Sequence, residues 1–199
     1  MKKLILCTIM LLFLVSTAGC SRKEIFITTD DISENTMLAK VNGELQVATV
    51  EDFGKTYYKL SELEEFVKKE INLYNQKAGG ENVMIDNVLL RNGKAIMLLT
   101  FSGMDQYSAF NNVAAAYFNG GIKNNPLIMP ENLVSTKDGS LKNTDEVIGN
   151  TKYKVLVVNE PYNIIVDGTI KYYSDNATYG EKNTLKSAEE GMTVIVFKP

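Results

Sequence analysis

Asn42-Gly43, Asn92-Gly93, Asp138-Gly139 and Asp167-Gly168 lie between β-prone runs of this sequence. A two-residue type I′ turn needs positive φ at both central positions, and these dipeptides meet that need best. They predict a chain that folds back on itself as antiparallel or mixed sheet. Residues 37–41 and 44–50 flank the first dipeptide, 83–90 and 95–101 the second, and 164–166 and 169–173 the fourth. We expect hairpins at these three; residues 133–136 before Asp138-Gly139 offer a weaker strand. Apart from Asp86 and Asn87, the second pair of runs is almost wholly apolar, which predicts a central hairpin covered on both faces.

Two helices are expected between the strands. Over 61–78, Leu63, Phe66, Val67, Ile71 and Tyr74 make one apolar stripe, with Ser61 and Glu64 as a capping box. Glu62, Glu64 and Glu65 sit at the positive end of the helix dipole, Lys77 sits near the negative end, and Gly79-Gly80 stops the helix. A second helix is predicted over 104–118, with Tyr107, Phe110, Ala114 and Tyr117 on one face and Gly120-Gly121 at its end. The chain is β-rich from Pro126 onward, so the fold class is α+β. A soft boundary between Pro126 and Pro130 divides residues 25–125, an α+β lobe, from 126–199, a β-rich lobe, unless the two form one continuous domain.

The first twenty residues have a different character. Lys2 and Lys3 precede an apolar run over 4–15, and Ser16-Thr17-Ala18-Gly19 leads into Cys20. The run is shorter than the roughly 20 apolar residues of a membrane-spanning helix and has the charged start of a secretory signal. Thr17-Ala18-Gly19-Cys20 resembles the bacterial lipoprotein lipobox. That resemblance implies cleavage before Cys20, diacylation of its sulfur, and residence on the outer face of the cell membrane, with residues 20–24 as the lipidated cysteine and a short tether. Two acyl chains hold stably where one binds marginally, since each buried methylene contributes about 0.8 kcal/mol.

Composition then limits the chemistry. Losing residues 1–19 removes two of the 21 basic residues and none of the 24 acidic ones, leaving a net charge of −5. An acidic balance argues against nucleic acid as a partner. Both cysteines, Cys7 and Cys20, lie in the leader or at its end, and the chain has no histidine. Ser-His-Asp and Cys-His catalysis and histidine-ligated zinc are therefore excluded, and no cofactor is expected.

Two further patterns, Asp105-Gln106-Tyr107-Ser108-Ala109-Phe110-Asn111 and residues 166–176 around Asp167-Gly168 and Tyr172-Tyr173, accompany the lipobox. Together they resemble uncharacterised surface lipoproteins of Gram-positive, Firmicutes-type bacteria. The resemblance implies location and fold coherence and brings no activity or catalytic residue.

Candidate site residues are few. Asp105, Tyr107 and Asn111 could line a pocket at a helix start, or serve that helix through its dipole and packing. Tyr172 and Tyr173, with Tyr153, Tyr162 and Tyr179, could anchor a protein or glycan, although adjacent strand residues face opposite sides. Asp30, Asp31 and Glu34, or Asp138, Asp145 and Glu146, could hold a hard cation but lack EF-hand spacing. Asp86 is the acid whose neighbours could desolvate it. The expected function is a non-enzymatic binding or assembly module at the cell envelope, partnered by the membrane and by an envelope protein or glycan. Its rivals are a carboxylate-dependent envelope hydrolase and a small-solute receptor for a transporter.

Overall fold

A computed structural model describes residues 24–121 and 127–199. The signal over 1–19, Cys20, the tether residues before Glu24, and Pro126 lie outside the described residues. In chain order the strands are β1 (Thr36–Ala39), β2 (Leu45–Asp52), β3 (Val83–Arg91), β4 (Lys94–Phe101), β5 (Ala116–Asn119), β6 (Asn132–Ser135) and β7 (Leu141–Asn143). There follow β8 (Lys154–Val158), β9 (Asn163–Val166), β10 (Thr169–Tyr173), β11 (Thr178–Tyr179), β12 (Thr184–Lys186) and β13 (Thr193–Lys198). The helices are α1 (Leu60–Ala78), α2 (Met104–Asn111) and α3 (Thr144–Ile148). The fold is α+β and mostly β.

Two sheets carry the strands. The larger runs β11-β12-β9-β1-β2-β4-β3 and the smaller β5-β8-β13-β10-β6-β7. Strands from both sides of residue 126 enter both sheets. β9 pairs in parallel with β1, and β5 pairs with β8. The expected lobes over 25–125 and 126–199 therefore do not coincide with the two sheets.

Met37, Ala39, Leu45 and Val47 of the large sheet share one buried cluster with Leu156, Ile170, Ile195 and Phe197 of the small one. Val67 and Ile71 of α1 and Met104 and Tyr107 of α2 complete it. Period-two alternation sends Val155, Val157, Val194 and Val196 to the other face of the small sheet, where Val147 and Ile148 of α3 cover them. Both faces of β8 and β13 are thus dry, which is why these strands read as continuous apolar runs. On the outer face of the large sheet, Ile32 packs on Ala48, Ile96 and Leu98. The segment from Glu24 to Asn35 lies there as a strap, held by Arg91, whose guanidinium donates to the carbonyls of Asp30 and Ile32.

Several expectations are corrected. α1 begins at Leu60 with Lys59 as N-cap and no side-chain capping bond, so Ser61 sits inside the first turn, too late to cap. Glu64 pairs with Lys68 instead. Phe66, assigned to the buried stripe, is 61% exposed. The second helix stops at Asn111, because Asn112 turns left-handed at φ 54°, and residues 116–119 form β5. There the Tyr117 hydroxyl donates to the Lys40 carbonyl at 3.0 Å, so sheet pairing outweighs the helix preference of Ala114 to Ala116. β3 is an edge strand rather than half of a covered central hairpin.

The Gly-bearing turns also differ from one another. Asn92 and Gly93 both take positive φ, 52° and 75°, between β3 and β4. At the first turn Gly43 alone does so, φ 95°, and its N–H donates to the Lys40 carbonyl at 3.0 Å. β6 and β7, on either side of Asp138-Gly139, pair antiparallel. Asp167-Gly168 joins no hairpin, since β9 lies in the large sheet and β10 in the small one. Gly168 is needed there for space. A Cβ would sit 2.4 Å from the Lys198 carbonyl oxygen and 2.8 Å from Cδ2 of Phe197.

That contrast is measurable by urea unfolding. Gly168→Ala should cost roughly 1–3 kcal/mol by overpacking. Gly139→Ala, which meets nothing within 4 Å but carries φ 71°, should cost about 1–2 kcal/mol through backbone strain alone. Gly80→Ala, free of both constraints, should change little.

Candidate functional site

The described chain starts at Glu24, whose carboxylate meets Lys40 Nζ at 3.0 Å; Glu44 meets the same ammonium at 2.6 Å. Burial works against the Lys40 charge, but its bonds to Glu44 and Glu24 prevail and raise its pKa. Lys40 begins the β1–β2 turn, so Glu24 lies at that end of the large sheet. The eight residues of β2 then run about 26 Å to the other end, at ~3.3 Å per residue.

At that far end, residues 53–59 form an aromatic loop. Its base is fixed by the Phe53 N–H, which donates to the Gly93 carbonyl at 2.7 Å, and by the Gly54 N–H, which donates to Asp52 Oδ1 at 3.0 Å. Phe53 stacks on Tyr58 with ring centroids 4.9 Å apart, and Tyr57 meets Tyr58 edge-on at 4.9 Å. Tyr57 is 69% and Tyr58 43% exposed. The nearby Tyr57 raises the pKa of the Tyr58 phenol, which stays neutral. Sequence reasoning missed these tyrosines. Their cue is an aromatic doublet inside a connector that carries Gly54, Lys55 and Lys59.

Beside the loop, at the same end, lies a polar groove of about 280 Å³ lined by Glu34, Asn35, Lys94, Tyr162, Lys186 and Glu189. It shares Ser33, Val50 and Lys94 with a second hollow of about 420 Å³ above Arg91 and Asn92. Lys186 stands 3.9 Å from both Glu34 and Glu189, so positive and negative charge balance along this surface.

The residues singled out from the sequence do not converge. Asp105 is exposed in the first turn of α2, whereas Tyr107 is buried. Two residues apart on a helix, they point to nearly opposite sides. Asn111 spends its amide on the Tyr107 carbonyl at 3.0 Å. Tyr172 meets Tyr153 edge-on at 5.9 Å, both half-buried against the cluster that α3 covers, and Tyr173 stacks on Tyr179 at 5.6 Å beside the main core. Asp86 is the extra residue of a bulge in β3. It is exposed and accepts from Thr100 Oγ1 at 2.7 Å and from Gln46 Nε2 at 3.2 Å. Among the described residues, no group of three or more Asp, Glu, His or Cys is placed to hold a metal ion. The Asp138 carboxylate accepts from the Ser140 hydroxyl at 2.7 Å and from its N–H at 3.1 Å; these bonds lower its pKa to about 2. It serves its own turn.

The Tyr107 hydroxyl donates to that of Tyr162 at 3.0 Å. Burial, above all, raises both phenols above the ordinary value. No family model matches the chain, and no curated protein or solved structure matches it.

Two measurements follow from these bonds. Phenols whose folded pKa is raised contribute stability fully below pH 10.0, the ordinary value, and that contribution is lost as pH climbs past it. Alkaline unfolding should therefore begin near pH 10, and Tyr107→Phe should cost about 1 kcal/mol at neutral pH. In a carboxyl NMR titration Asp138 should titrate near 2, and Ser140→Ala should raise it toward the ordinary 3.8.

Proposed function

We propose that this chain is a lipid-anchored binding or assembly module on the extracytoplasmic face of a bacterial cell membrane, of the kind found among Gram-positive surface lipoproteins. The lipobox-like run ending at Cys20 supports a diacylglyceryl anchor. The ion pair of Glu24 with Lys40 leaves residues 20–23 to bridge anchor and fold, roughly 13 Å when extended. The observation that carries the binding reading is the aromatic loop at the end away from Glu24. Exposed tyrosines over a fixed, hydrogen-bonded base are the side chains that dominate protein interfaces. An envelope protein is the partner class they suit. A glycan or small solute is the second reading, favoured by the charge-balanced groove beside Lys94, whose volume falls near the lower end of ligand pockets.

The experiment separates anchor from recognition. Cys20→Ala should abolish incorporation of a clickable fatty acid and release the chain from the membrane fraction. Tyr57→Ala with Tyr58→Ala should keep both yet lose the envelope partner that cross-links to the parent chain in intact cells. Label retained by Cys20→Ala overturns the anchor. A cross-linked partner unaffected by the tyrosine pair overturns the aromatic site.

A further inference from the structure

The strap over residues 24–35 lies on the large sheet without joining it. Among the described residues it adds no strand to either sheet, and its one regular element is a single 3-10 turn, Thr29–Asp31. Side chains of the sheet hold it down. Gln46 Oε1 accepts from the Ile27 N–H at 3.0 Å, and Asn87 Nδ2 donates to Thr29 Oγ1 at 3.1 Å. Arg91 grips the carbonyls of Asp30 and Ile32, and Lys40 meets Glu24. Ile32 is buried beneath the strap, whereas Phe26 is 66% exposed. β1, the next strand, is by contrast paired on both sides.

The bulge in β3 supplies much of this grip. Strand period sends successive residues to opposite faces. Asp86 and Asn87 nevertheless both reach the strap side, because the register of β3 shifts between Ile85 and Asn87. Asn87 holds Thr29 directly. Asp86 acts one step back. It accepts from Gln46 Nε2 at 3.2 Å, which turns the other end of that amide, Oε1, toward the Ile27 N–H.

A segment fastened by side chains over few buried residues opens at lower free energy than a strand paired on both sides. Asn35 stays in place when it does, since its carbonyl accepts from the Asn163 N–H and its side chain from the Val50 N–H. We propose that residues 24–34 form a latch that leaves the outer face as one unit while both sheets stay folded. Opening moves the first fixed point of the chain from Glu24, beside the β1–β2 turn, to Asn35, in the wall of the polar groove. It frees about 36 Å of extended chain, at ~3.3 Å per residue. The latch itself does not depend on the anchor. Its use as an adjustable leash rests on the reading that Cys20 is lipidated.

Native-state hydrogen exchange, read by NMR on the full chain in detergent micelles, tests the latch. The Ile27 and Ile32 amides should exchange about a hundredfold faster than those of β1. Arg91→Ala should speed Ile27 about tenfold, although its own bonds lie at Asp30 and Ile32, and should leave β1 unchanged. Asp86→Ala should speed Ile27 and Ile32 alike, and Asp86→Asn, whose amide oxygen still accepts from Gln46, should restore the parent rate. Strap amides that exchange only together with β1, or an Arg91→Ala effect confined to Ile32, overturn the latch. An Asp86→Asn chain as fast as Asp86→Ala overturns the positioning role of Asp86. Ile32→Asp combined with Arg91→Ala should hold the strap open. In vesicles, energy transfer to a lipid dye from a dye on Lys55→Cys should then fall. Unchanged transfer in that open chain, with fatty-acid label present on Cys20, overturns the leash; absence of the label overturns the anchor instead.

Discussion

The arrangement depends on β1, four residues long and buried along its whole length. It pairs antiparallel with β2 on one side and parallel with β9 on the other, with Thr36 opposite Asn163 and Ala39 opposite Val166. A parallel neighbour cannot come from a tight turn; it needs a long connection. Most of the chain, β2 to β8 with all three helices, forms that connection. Chain closure is therefore non-local. The strand that seals the large sheet arrives only after the small sheet has begun, and the two sheets have to form one core.

The consequence at the crossing point is Gly168. Leaving β9, the chain passes directly into β10 of the other sheet, and the Asp167 N–H donates to the Ala39 carbonyl at 2.9 Å. The last strand, β13, runs so close that the Lys198 carbonyl fills the place a side chain would take. The strap over Ile96 and Leu98 is the counterpart on the outer face. It shields apolar strand residues that would otherwise face water, and Arg91 clips it down at the far end while Glu24 and Lys40 hold the near end.

How much of this was legible follows from what each signal encodes. The extent of α1 was readable because an apolar stripe at helical spacing and Gly79, at φ 77°, mark its body and end. Its cap was not, because the backbone starts the helix at Leu60, one residue before Ser61. Residues 116–119 read as helix because Ala114 to Ala116 favour one locally, while the strand they pair with, β8, comes far later in the chain. Asp167-Gly168 looks like a turn because Gly serves two needs, positive φ and absent volume, and sequence does not distinguish them. The opposite facing of Tyr172 and Tyr173 follows from strand period alone. For the far-end site there was less to read. Tyr57 and Tyr58 have no period, and the groove walls come from segments over a hundred residues apart, Glu34 and Lys186 among them.

Many polar side chains are occupied with the backbone or with each other. Asn75 donates to the Val83 carbonyl at 2.8 Å and accepts from the N–H groups of Asn82 and Val83, fastening α1 to the edge strand. Asn35 accepts from the Val50 N–H at 2.8 Å, and Ser187 accepts from Tyr162 N–H while donating to the Glu160 carbonyl. Asp86 accepts from Thr100 and Gln46, and Asp138 holds its own turn. A side chain committed in this way resists recruitment to proton transfer, because breaking its bond leaves a backbone group unpaired at a cost of about 1–3 kcal/mol where that group is buried. The exposed side chains of the aromatic loop, and Phe66 and Leu73 on α1, carry no such duty. Large apolar groups held in water on a fixed frame lower their free energy most by meeting another surface, and this asymmetry is why the proposed reading is recognition and assembly.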